Sequence, residues 1–148
     1  MKLTPHFSLE ELTESSTAQR LGIVNSPSDE IVVNLQTLAE GLEKVRALLP
    51  IQNIPIHIDS GYRCPALNTA VRGAKDSAHM TGYAADFICR MAGTPLEIVQ
   101  NIAASDLQFD QLIQEGTWVH ISFDPRMRRQ VLTAHFGAGG TTYTEGIE

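Results

Sequence analysis

The chain is short of cysteine, of basic residues and of long apolar runs, and each shortage closes off a class of function. Two cysteines in 148 residues, Cys64 and Cys89, are too few for a disulfide scaffold and lack zinc-knuckle spacing. They read as two semi-buried thiols in preference to one disulfide. Eleven Lys plus Arg stand against seventeen Asp plus Glu, a net charge of −6 with histidine neutral and a pI near 5.3. An acidic chain without a basic stripe is poorly made to grip a phosphate backbone or an anionic membrane, so no nucleic-acid partner is expected. No run approaches the roughly 18 uninterrupted apolar residues of a span, so no membrane insertion is expected either. Residues Met1 to Phe7 lack the apolar stretch of a secretory signal, which predicts synthesis in the cytoplasm without a signal peptide. Gly-rich phosphate loops are absent as well.

What is there suits an ordered chain. Apolar residues make up 43%, charged residues 19%, and mean hydropathy is −0.08. No repeat or linker divides residues 1–148, which predicts one domain, monomeric, with a loose Gly/Thr-rich tail from about residue 137. Ser8 and Glu11 form a capping box, with Phe7 and Leu12 as its hydrophobic staple, and Ser15-Ser16-Thr17 should end that helix. Ser26-Pro27 reads as the start of a longer helix, with Ser26 as N-cap. Ile31, Leu35, Leu38, Leu42, Val45 and Leu49 then recur at steps of four and three, one apolar stripe stopped by Pro50. Cys64-Pro65 to Gly73 suits a short helix, and Thr94-Pro95-Leu96-Glu97 is a second capping box. Strands are expected over 54–58, 82–88, 109–114, 117–123 and 130–136, with Glu115-Gly116 as a turn. Helices first and adjacent strands late predict an α+β fold with a small antiparallel sheet.

The chemistry concentrates between Ser60 and Asp86. By alternation Gly82, Ala84 and Asp86 share one strand face, and two of the three have almost no side chain. That leaves a hollow into which Asp86 points, with His79 on the entry loop. Trp118, His120 and Ser122 share the polar face of a later strand, while Val119, Ile121 and Phe123 face the core. Two histidines and a carboxylate, with a fourth position left to water, are the ligand set of a catalytic zinc. His79 with Asp86 alone fits a structural histidine and a turn cap equally well. A Ser-His-Asp hydrolase can be drawn from Ser77, His79 and Asp86, although no nucleophile elbow positions the serine. His6, His57 and His135 carry no assignment.

Ser77-x-His79-x-x-Gly82-x-Ala84-x-Asp86, preceded by Ser60-Gly61-Tyr62-Arg63 and followed by His120-x-Ser122, resembles the zinc D-alanyl-D-alanine carboxypeptidase family. That family includes the L-alanyl-D-glutamate endopeptidases of phage lysins and shares its fold with the hedgehog signalling domain. The likeness runs from about Phe7 to Phe136. It implies helices packed on one face of the sheet, Zn²⁺ held by His79, Asp86 and His120, and peptidoglycan stem peptides as substrate. A phage or prophage lysin acting on the cell wall after holin release or lysis, or a virion component, fits that resemblance. Arg63 and Ser77 are then expected to bind substrate.

Members of the family place a general base a few residues before the second histidine ligand. Many carry Glu three residues before it, where this chain has Thr117. The nearest acid is Glu115, five residues before His120, a distance other branches use. Strict alternation would point Glu115 away from His120, unless Gly116 absorbs the change of phase. The competing readings are an exposed turn glutamate and, for the whole chain, a catalytically inactive wall-binding or virion-structural module. Asp110 and Asp76 are the next acids in line.

Overall fold

The computed structural model describes residues 1–50 and 54–147. A short antiparallel pair, β1 (Lys2–Thr4) and β2 (Phe7–Ser8), leads into helices α1 (Leu9–Thr13), α2 (Ser16–Leu21) and α3 (Asp29–Leu48). Strand β3 (His57–Ser60), helix α4 (Pro65–Ala70) and a 3₁₀ turn, Ala78–Thr81, follow. Then come β4 (Ala84–Ile88), a second 3₁₀ turn at Arg90–Ala92, α5 (Pro95–Ala103), β5 (Gln111–Gln114), β6 (Val119–Ser122), β7 (Gln130–Gly137) and β8 (Gly140–Glu145).

Both capping boxes form. Ser8 and Glu11 exchange side-chain-to-backbone bonds at α1, and Thr94 and Glu97 do the same at α5. Phe7 and Leu12 are buried together in the main core. The expected start of α3 moves by two residues: Ser28, not Ser26, is the N-cap, its Oγ accepting from the Ile31 N–H at 3.3 Å. Ser28 wins because Asp29 and Glu30 then occupy the first turn, where carboxylates suit the positive helix end. Ser15 does not merely end α1. Its hydroxyl accepts from the Ala18 N–H and so starts α2.

The six-stranded sheet runs β3-β4-β6-β5-β7-β8. It is mixed, not wholly antiparallel as expected, because β5 and β7 are parallel. The β5–β6 hairpin reverses the chain once and the crossing after β6 reverses it again, so β7 returns in the direction of β5. The stretch expected to be a loose tail is instead ordered as β8, an edge strand paired with β7 from Leu132–Glu145 to Gly137–Gly140. All its residues are exposed, so backbone pairing rather than burial holds it.

The core lies on one face of the sheet. Leu35, Leu38, Leu42 and Val45 of α3 are wholly buried, each contributing roughly 1.5–3 kcal/mol of apolar burial. They pack in one cluster with Ile98, Val99 and Ile102 of α5 and with Ala85, Phe87, Leu112, Val119 and Ile121 of the sheet. The sheet's other face is left for chemistry. Among the described residues, no helix is long and apolar enough to cross a membrane.

Candidate metal centre

Asp86 on β4 and His120 on β6 are direct cross-strand partners in an antiparallel pair, which puts both side chains on the face away from the helices. His120 Nδ1 lies 2.9 Å from Asp86 Oδ1. His79 arrives from the 3₁₀ turn before β4, and its Nε2 lies 3.4 Å from the same oxygen. Gly82 is not a strand residue, as the alternation had it. It ends the 3₁₀ turn in the left-handed region at φ +82, and that bend aims His79 back over the strand.

His79 and Asp86 are each held from behind. The Ser77 hydroxyl caps the 3₁₀ turn by accepting from the His79 backbone N–H at 3.2 Å. The His79 Nδ1–H donates to the Gly61 carbonyl at 2.7 Å, which leaves Nε2 free to face Asp86. Gly61 can stand there only as glycine, because a Cβ would come within 2.2 Å of the Leu12 carbonyl oxygen. The Arg63 N–H donates to the His79 carbonyl at 3.0 Å, and the Tyr62 N–H to Leu12 at 2.8 Å. Asn25 adds a clamp, donating to the Thr13 and Tyr62 carbonyls and accepting from the Cys64 N–H. The Arg63 guanidinium reaches Asp86 Oδ2 at 3.3 Å, Ser60 Oγ at 3.2 Å and Asn68 Oδ1 at 3.2 Å.

His79, Asp86 and His120 are all buried, and one ligand atom from each lies within 4.8 Å of the others. In a tetrahedral zinc site, bonds of about 2.0–2.1 Å put neighbouring donor atoms about 3.3 Å apart. The two separations from Asp86 Oδ1, 2.9 and 3.4 Å, fit that spacing. The protonation states fit too. Burial would raise the Asp86 carboxyl, but its interactions with His79 and His120 outweigh it and hold the pKa far below the usual range. Burial lowers the His79 pKa against the pull of Asp86, which favours the neutral ring that a metal ligand needs.

The position of Glu115 corrects the alternation argument. β5 and β6 pair Ile113 with His120 and Gln114 with Val119, and the Glu115 N–H continues the ladder to the Trp118 carbonyl at 3.1 Å. Glu115 therefore belongs to the β5 side of the hairpin, on the same face as Ile113 and His120. Counting parity through the turn fails because the chain reverses there. The reversal is a γ-turn about Gly116, with φ +78 and the Thr117 N–H bonded to the Glu115 carbonyl at 3.0 Å. Burial first, and the Asp86 charge second, push the Glu115 carboxyl above its usual pKa. The buried Trp118 indole N–H has no acceptor at hydrogen-bond distance, yet it lies near enough to Glu115 to oppose that rise.

Other expectations resolve by contact. Both ring nitrogens of His79 are engaged and Ser77 Oγ meets its backbone, so the nucleophile–base pair of a serine hydrolase does not form. Asp110 is buried beneath Arg128, which donates to both carboxylate oxygens, and Asp76 is exposed. His6 bonds Glu43, His57 meets Asp59 and His135 bonds Thr144, all outside the cluster. Asn68, Ser60 and the Gly61 carbonyl were not picked out as site residues. Their roles are those of supports, which carry no spacing signal of their own. A cavity of about 430 Å³ lies against α3 between Gly41, Leu48, Leu107 and Phe123, and holds none of these groups.

A family model described as Peptidase M15 matches residues 5–122. No curated protein matches the chain.

Proposed function

The chain belongs to the peptidase M15 family, and from that premise we propose that it is a zinc peptidase cutting an amide bond in peptidoglycan stem peptide. The convergence of His79, Asp86 and His120 beside the Glu115 carboxylate carries this reading. A divalent ion held by those three residues would supply Lewis acidity to a water molecule and to the substrate carbonyl.

The chain's own residues do the rest. Glu115, its pKa raised above the usual carboxylate value by burial, takes a proton from the attacking water as the water oxygen bonds to the carbonyl carbon. The same proton passes to the leaving nitrogen as the C–N bond breaks, giving an amine and a carboxylic acid, which ionises to the carboxylate. Arg63 fixes the outer oxygen of Asp86, and its remaining N–H groups are available to a substrate carboxylate. Ser77 holds the His79 loop at the edge where substrate enters. Work at the cell wall, as a lysin of phage or prophage origin, accompanies this reading.

The test is turbidity loss of purified cell walls with metal-stripped protein. Clearing should return with Zn²⁺ and be absent from the His120→Ala variant. A zinc-loaded protein that leaves walls intact would make it an inactive module instead.

A further inference from the structure

Among the described residues, the face that carries His79, Asp86 and His120 continues, uncovered by any helix, across β5, β7 and β8. Cross-strand pairing makes one row of Asp86, His120, Ile113, Leu132 and Glu145. The next row on this face, two pairs further along, runs Trp118, Glu115, Ala134 and Tyr143, with Ala134 and Tyr143 direct partners. Ile113, Leu132 and Ala134 form a small buried cluster of their own, separate from the main core. Above it, Phe136 packs on Trp118 with ring centroids 5.9 Å apart.

Two aromatic side chains among the described residues are more than half exposed, Phe136 at 58% and Tyr143 at 52%, and both belong to this face. Tyr143 pairs with Ala134 on this face, and burial first, then the charges of Glu115 and Asp86, raise its hydroxyl, which stays protonated. An exposed apolar patch beside a polar site is the form of a ligand shelf. The β7–β8 hairpin, residues 130–145, lies beyond the 5–122 stretch that matches the family.

We propose that this hairpin is a substrate-binding shelf for a peptide side chain that is aliphatic along its length and cationic at its tip. The proposal rests on the peptidase reading for its ligand. Leu132 and Ala134 are the floor, Phe136 and Tyr143 the walls, and Glu145 the countercharge, since it pairs with Leu132 on the same face. Methylenes lie against the rings, and an ammonium gains from both ring faces and the carboxylate. An acidic partner is disfavoured by Glu115, Glu145 and Asp86 together. A stem peptide with a free diamino-acid side chain meets these requirements.

Trp118, the chain's one tryptophan, stands at the edge of the shelf and reports occupancy without any need for turnover. The probes are the zinc-loaded protein with L-Ala-γ-D-Glu-L-Lys-D-Ala-D-Ala and with the same peptide acetylated on the lysine amine. Trp118 emission is read by stopped flow before hydrolysis, and amine release is followed in parallel. The free-amine peptide should bind roughly three- to tenfold more tightly. Glu145→Gln should erase that preference while leaving the acetylated peptide's affinity unchanged. Tyr143→Ala should weaken both, and Tyr143→Phe, which keeps the ring, should restore most of the binding. Equal affinities in the parent, or a preference that survives Glu145→Gln, would overturn the shelf. So would emission that changes with protein concentration alone, since a second copy would then cover it. A preference without amine release would keep the shelf and discard the peptidase; release without a preference would do the reverse.

Discussion

Arg63 donates to the outer oxygen of Asp86 at 3.3 Å, while the inner oxygen of the same carboxylate faces both His79 and His120. The guanidinium thus fixes which oxygen the histidines meet. Arg63→Gln should lower zinc affinity about 10–100-fold, measured by competition with a chromophoric chelator, with activity recovering at high zinc. Unchanged affinity with a raised KM would assign Arg63 to substrate alone.

Glu115→Gln keeps the size of the side chain and removes its basicity. Turnover should fall on the order of 10²–10⁴-fold with one zinc per chain retained, as read by metal content after dialysis. A loss of only a few-fold would return Glu115 to the role of a turn residue.

The α3 stripe, both capping boxes and the His79–Asp86–His120 cluster were legible because each rests on periodicity or local chemistry. The N-cap slipped from Ser26 to Ser28 because two serines compete and the choice lies in the following carboxylates. The face Glu115 takes could not be counted from His120, because alternation holds along a strand and not through the reversal at Gly116. β8 was missed because an exposed Gly/Thr edge strand has no apolar pattern, and only its pairing with β7 orders it. Arg63 was legible as a site residue, but its contact with Asp86 joins residues distant in sequence, which spacing cannot show.

Asp110 is almost wholly buried and accepts from the Arg128 backbone and guanidinium, which hold its carboxyl below the usual range. Asp110→Ala should cost about 2–4 kcal/mol in urea unfolding at pH 7. A carboxyl whose folded pKa is depressed stabilises fully above its unfolded pKa and loses that contribution as pH falls through the folded value. The gap between parent and variant should therefore be constant above about pH 5 and narrow below about pH 4. A gap that widens in acid would contradict the ion pair.

Cys64 and Cys89 are both free, Cys89 buried with its thiol 3.7 Å from the Pro55 carbonyl. Reductant should leave the melting temperature unchanged. A fall of several degrees would reveal a disulfide.

The most direct measurement is the appearance of new amino groups from purified peptidoglycan as zinc is titrated into metal-stripped protein. Amine release should rise linearly and break at one zinc per chain, with none from the His120→Ala variant. Stoichiometric zinc binding with no new amine would contradict the peptidase outright.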